Sequence, residues 1–253
     1  MKSTEFIATL ISIAKDYKTL YVLGGFGAPL NAKNKTRYTD NNDFNRKSDR
    51  TKKINAASED TFAFDCSGLI KGVLWGWDGD LNATYGGAKY RGNDIPDMNA
   101  NGMIKKCTEV STDFNNIVPG ELVWIEGHIG VYIGDGLAVE CTYRWKDGVQ
   151  ITACNCTKLG YNRRNWTKHG KFPYIEYVEE KWTPAVGDTV YYNGTVHYTN
   201  ANAATGKPCK SGKAKIQDIY RLGKSKHPYL LKRVLGGGSN VYGWVDEGTF
   251  TKI

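Results

Sequence analysis

Residues 120 to 143 read GELVWIEGHIGVYIGDGLAVECTY, three apolar stretches separated by Gly127 and by Gly134-Asp135-Gly136. Runs this short, rich in Val, Ile and Tyr and broken by glycine, predict β-strands joined by tight turns. Such short connections force antiparallel pairing, because a parallel crossover needs a dozen residues or more. The segment from 4 to 23 has a different period. Phe6, Ile7, Leu10, Ile11, Ile13 and Ala14 recur at helical spacing up to a stop at Gly24-Gly25. Helix and antiparallel strand in one chain predict an α+β fold.

A chain of 253 residues can hold one large domain or two modest ones. EYVEEKWTPAVG, residues 176 to 187, mixes charge with Pro184 and Gly187 and is expected to be a linker. Beyond it, VYYNGTVHY sets Asn193-Gly194 between apolar residues, a hairpin signal, and GWVD lies near the end. The expected division is a domain over 1–175, the linker over 176–187 and a small β-barrel over 188–253. Residues 31 to 60 carry eight Lys/Arg, five Asp/Glu and few apolar anchors; a functional flap or a partly helical segment is one reading, and a solvated, mobile insertion is the favoured one.

Charge and cysteine content narrow the function. The net charge is +8, of which residues 184 to 253 supply +6 through ten Lys/Arg against four Asp/Glu. A basic tail favours a polyanionic partner, whether nucleic acid, anionic cell wall or membrane surface. No apolar run approaches a membrane span. The patch from Ile7 to Ala14 contains Thr9 and Ser12 and lacks a small-residue cleavage pattern, so a first helix is expected there and not a secretory signal. The six cysteines (Cys66, Cys107, Cys141, Cys154, Cys156 and Cys209) contain no C-x-x-C pair for zinc and are too sparse for a disulfide scaffold. Asp78-Gly79-Asp80-Leu81-Asn82 fails as a calcium loop, because Ala83 and Lys89 stand where glycine and glutamate are needed. No metal or other cofactor is expected.

FAFDCSGLI, residues 62 to 70, places a cysteine where an extended segment gives way to helical spacing. Asp65 can cap that helix, and Cys66 then stands at the positive end of its dipole, where a thiolate is favoured over a thiol. First-turn N–H groups near Ser67 could hold an oxyanion. The base must be one of His128, His169, His197 and His227. His197 and His227 fall in the expected barrel, and His169 lies in RRNWTKHGK, read as surface. His128, after Gly127 at the head of an apolar strand, is the candidate. The strand meander nominates Glu140 to orient it, and strand register decides. A two-residue turn at Asp135-Gly136 would put His128 and Glu140 on opposite faces. A three-residue Gly134-Asp135-Gly136 loop sets Gly130 opposite Glu140 and makes imidazole and carboxylate diagonal neighbours. The flanking glycines favour the latter. Cys141 is expected to face the opposite layer as core.

FDCSG, GHIGVYIGDG and an acceptor twelve residues beyond the histidine resemble the NlpC family of papain-like cysteine peptidases, which cleave peptide stems of bacterial peptidoglycan. Tyr21-Val22-Leu23-Gly24-Gly25 is similar to the Tyr and Gly-Gly turn that precede the nucleophile in that family. The resemblance covers about residues 15 to 145. It implies an α+β papain-like domain with N-terminal helices on an antiparallel sheet, Cys66 as nucleophile, His128 as base, Glu140 as third residue, and Tyr21 at the oxyanion or substrate. Glu140 stands where histidine is usual. The 31–60 stretch is longer than the family spacing. An acid third residue is shared with the related CHAP amidases, so an endopeptidase or an N-acetylmuramoyl-L-alanine amidase is implied.

The tail resembles a bacterial SH3-like wall-binding module, with Tyr191, Tyr192, Tyr198 and Trp244 as candidate contacts to glycan or peptide. Together the two resemblances imply a phage-type endolysin, made in the bacterial cytoplasm without a Sec signal and acting on the wall after holin- or lysis-dependent release. Its partners would be peptidoglycan and anionic wall polymers. A non-catalytic wall- or nucleic-acid-binding protein is the reading from another class. It leaves the Cys-His pair without a purpose, and no RNA-recognition signature is present.

Overall fold

A computed structural model describes residues 1–178 and 182–253. The chain divides into two units, Met1–Val178 and Glu179–Ile253. The first is α+β and the second all-β. The expected 176–187 linker contracts at both ends. The Glu176 amide bonds to Met1 and the Val178 amide to Ser3, whereas Trp182 packs on the core of the second unit. Among the described residues no helix is long and apolar enough to cross a membrane.

In the first unit, helix α1 (Ser3–Asp16) buries Phe6, Leu10 and Ile13 at i, i+4 and i+7. It ends before the predicted stop at residue 23, because Thr19–Tyr21 (β1) is drawn out to pair in parallel with Phe62–Phe64 (β3). Strand β2 (Phe26–Pro29) lies antiparallel to β3 on its other edge.

The 31–60 stretch follows the helical reading and not the favoured one of a solvated, mobile insertion. It forms helices α2 (Ala32–Asp40), α3 (Asp43–Arg46) and α4 (Ser48–Ala56). Asn31 caps α2 by accepting the Asn34 amide at 3.0 Å, and Asn42 caps α3 by accepting the Phe44 amide at 2.9 Å. Buried Asn45 exchanges hydrogen bonds with both backbone groups of Leu23, and Arg50, 3% exposed, bonds Asp147 at 2.6 Å and the Tyr21 carbonyl. Polar composition suggested solvation, but these side chains are consumed in satisfying buried backbone.

Helix α5 (Cys66–Leu74) is buried on nearly every side. Gly68 and Gly72 make this possible: a Cβ on Gly68 would stand 1.8 Å from the Gly25 carbonyl oxygen, and one on Gly72 2.4 Å from that of Phe26. Helix α6 (Ala100–Lys106) and strand β4 (Thr108–Ser111) lead to the meander of β5 (Leu122–Ile125), β6 (His128–Gly134), β7 (Leu137–Thr142) and β8 (Gly148–Cys154). With β9 (Arg163–Arg164) and β10 (Lys168–Lys171) these make a seven-stranded sheet in the order β4-β10-β5-β6-β7-β8-β9. Helix α5 packs on β6 and β7, and α1 on β7 and β8. Leu69, Ile70 and Val73 meet Ile129, Val131, Val139 and Val149 in one core. Each such burial contributes about 1.5–3 kcal/mol.

The second unit is one antiparallel sheet of seven strands. Its members are β11 (Thr189–Tyr192), β12 (Val196–Tyr198), β13 (Gly206–Pro208), β14 (Gly212–Ile219), β15 (Tyr229–Arg233), β16 (Tyr242–Val245) and β17 (Phe250–Lys252). The order is β13-β12-β16-β15-β14-β11-β17. The predicted Asn193-Gly194 hairpin does not form, since β11 pairs with β14 and β17 while β12 pairs with β13 and β16. Gly194 instead lies under the Tyr192 ring, whose hydroxyl donates to the Val196 carbonyl at 2.5 Å and steers the chain away.

Candidate active site

Asp65 builds the start of α5. One of its oxygens accepts the Gly68 amide at 2.5 Å and the Ser67 hydroxyl at 3.1 Å, and the other accepts the Gly24 amide at 2.8 Å. The Ser67 side chain is therefore spent on the cap, and only its backbone N–H faces the sulfur. Cys66 is 8% exposed, and burial pushes its thiol up to about 12. The adjacent Asp65 charge adds to that rise, while the amides of Ile129, Ser67 and Cys66 itself pull against it. The expected standing thiolate is thus corrected. A helix N-terminus lowers a thiol only where the ion keeps some solvation, and here desolvation outweighs the dipole.

The register places Gly130 opposite Glu140 and Val131 opposite Val139. It arises from a two-residue turn, Asp135-Gly136 with positive φ at both, and a bulge between Tyr132 and Gly134 that restores the one-residue offset. His128 and Glu140 consequently share a face, and Nε2 lies 2.7 Å from the carboxylate. With Nε2–H donating to Glu140, the lone pair of neutral His128 is on Nδ1. His128 and Cys66 do not hydrogen-bond to each other. They stand on packed elements, Cys66 at the start of α5 and His128 at the head of β6.

Glu140 is fully buried and saturated. Besides His128 it accepts Thr152 Oγ1 at 2.8 Å and the Arg164 guanidinium at 2.5 Å. Burial would raise its carboxyl, but the hydrogen bonds and charges of His128 and Arg164 hold it below the usual carboxylate range. Trp166 stacks on the His128 ring, centroids 5.5 Å apart and planes 8° from parallel, in the space that Gly130 leaves.

Tyr21, 8% exposed, lies edge-on to Phe44 and Tyr143, and burial raises its phenol beyond the ordinary tyrosine range, with the charges of Cys66, Asp65 and Cys141 adding to the rise. Tyr21 and Cys66 belong to the same buried cluster of the first unit. Fully buried Cys141 donates its thiol to the Phe64 carbonyl at 3.2 Å and packs as core.

Arg164 and Trp166 were missed in sequence because RRNWTKHGK looks like a basic surface, and Thr152 because nothing local distinguishes it from any other strand threonine. The detectable signal was a tryptophan two residues after an arginine on an otherwise polar strand. His169, in the same run, is also not on the surface. It is 3% exposed, bonded through Nδ1 to Glu121 and through Nε2 to the Asp113 carbonyl at 2.8 Å. Burial raises the Glu121 carboxyl against the pull of His169.

In the second unit Tyr191 is exposed, Tyr198 and Trp244 are half-buried cross-strand partners, and Tyr192 is fully buried. Tyr192 is a core residue and cannot touch an external polymer. Among the described residues no three His, Cys, Asp or Glu side chains converge as a metal site. In comparison with known proteins, no family model matches the chain and no curated protein matches it.

Proposed function

We propose that the first unit is a papain-like cysteine hydrolase of the NlpC type, cleaving an amide bond of peptidoglycan peptide stems, and the second an SH3-like wall-binding module. The observation that carries this reading is the His128–Glu140 pair: Glu140 holds Nε2 and leaves Nδ1 free, at the head of the strand on which the helix begun by Cys66 packs.

In the reaction His128 Nδ1 takes the Cys66 proton as the sulfur attacks the carbonyl carbon. Glu140, kept ionised by Arg164, stabilises the imidazolium so formed. Backbone N–H groups at the start of α5 receive the tetrahedral oxyanion, a donor of this kind contributing about 3–4 kcal/mol. His128 returns its proton to the departing amine, leaving a thioester. Water, deprotonated by Nδ1, then attacks the thioester to give the carboxylate and restore the thiol.

Mass spectrometry of purified peptidoglycan digested by wild type and by Cys66→Ala tests the reading. New N-termini within the stem are expected from wild type alone. Intact stems freed from glycan would make the enzyme an amidase with the same residues. Equal products from Cys66→Ala would remove Cys66 from the chemistry.

A further inference from the structure

Beside the Asp65 cap lies a cavity of about 290 Å3 with an aromatic lining and one cation. Phe26 and Tyr85 contact each other in its wall, centroids 4.4 Å apart and planes tilted by 33°, and the Arg37 guanidinium lies 4.6 Å from the Tyr38 ring centre and 4.9 Å from that of Tyr85. Two buried donors here meet no acceptor: Arg37 Nε, and Tyr38 Oη, which faces only the Arg37 guanidinium. Tyr38 as a whole is 6% exposed, and burial pushes its hydroxyl up to about 12 against the pull of Arg37, so it is a donor at any working pH. Arg37 forms no ion pair with an acidic side chain among the described residues.

Buried donors without acceptors are costly, and folded proteins rarely leave them so. One group satisfies both. A carboxylate accepts from a guanidinium and from a phenol at once, while its aliphatic carbon meets the aromatic walls. We propose that this cavity is a subsite for a free carboxylate of the substrate peptide, held by Arg37 and Tyr38. The proposal rests on the peptidase reading for the identity of that peptide.

Its place in the fold ties it to the reacting cysteine. Gly24, which lines the cavity, donates its amide to Asp65, and the following Gly25 presses its carbonyl on Gly68 in the first turn of α5. Arg37 and Tyr38 belong to α2, within the stretch that exceeds the NlpC spacing, so the added helices would supply selectivity for acidic stems.

Calorimetric titration of the Cys66→Ala protein with a synthetic wall stem peptide, and with the same peptide amidated at every carboxyl, separates this from hydrolysis. The free acid is expected to bind at least tenfold more tightly than the amide. That preference should vanish in Arg37→Gln, and weaken in Arg37→Lys, which keeps the charge but not the Nε donor. Tyr38→Phe should weaken the acid alone. Equal binding of acid and amide, or an unchanged preference in a folded Arg37→Gln protein, would overturn the subsite. If wild type fails to cut peptidoglycan while the acid preference persists, the peptidase reading falls and the carboxylate site stands.

Discussion

Arg164 and His128 share one carboxylate oxygen of Glu140, at 2.5 Å and 2.7 Å, with neither Arg164 nor Glu140 open to solvent. Together with His128, the arginine keeps the carboxylate ionised and fixes the oxygen that His128 meets. Arg164→Met should therefore remove both effects while filling the space. Removing one partner of a buried pair costs about 3–5 kcal/mol, and turnover should fall together with a lowered thermal midpoint. Retained turnover in a folded Arg164→Met protein would show that Glu140 orients His128 unaided.

Acid stability follows from the same carboxylate. Its folded pKa is depressed, so its contribution is complete above the unfolded value of about 4.3 and is lost as pH falls through the lower folded value. Glu140→Gln should be less stable than wild type at pH 7, and the two should converge as the pH is lowered past 4. Urea unfolding at several pH values measures this. A difference independent of pH would mean that the carboxylate charge contributes nothing to stability.

Thiol reactivity should depend on His128. With burial holding the Cys66 thiol near 12, little thiolate stands at neutral pH unless an imidazole accepts the proton. In His128→Ala, iodoacetamide alkylation of Cys66 should be slow at pH 7 and still rising at pH 10. In wild type it should reach a plateau at lower pH. Matching profiles for the two proteins would separate His128 from the sulfur.

Tyrosines 191 and 192 should part company. Tyr191, exposed, opposes Lys213 across the sheet, whereas Tyr192 fills the core beside Val190 and Phe250. Tyr191→Ala should leave the unfolding transition of the second unit unchanged and weaken pull-down on purified cell walls. Tyr192→Ala should destabilise that unit by about 3–5 kcal/mol. Undiminished wall binding by Tyr191→Ala would take that residue out of the binding face.

The local grammar of the chain was enough for several elements. Asp65 before Cys66 specified a capped helix, because a cap is satisfied within four residues. The glycine-bounded runs from 120 to 143 specified an antiparallel meander, because side-chain period and turn residues are short-range properties. What lay beyond sequence were the features closed by distant partners. Arg164 belongs to the site only because β9 pairs with β8, and Trp166 because the Asn155 side chain after β8 accepts its amide at 2.6 Å. Asn193-Gly194 has the composition of a turn, yet long-range pairing of β11 with β14 and β17 overrode it. The helices of 31–60 carry few apolar residues and are held by Arg50 and Asn45 against backbone that sequence could not bring near. Sequence alone placed a cysteine at a helix start. Tertiary burial decided that its thiol is pushed up and not down, because desolvation acts through atoms that come from every part of the fold.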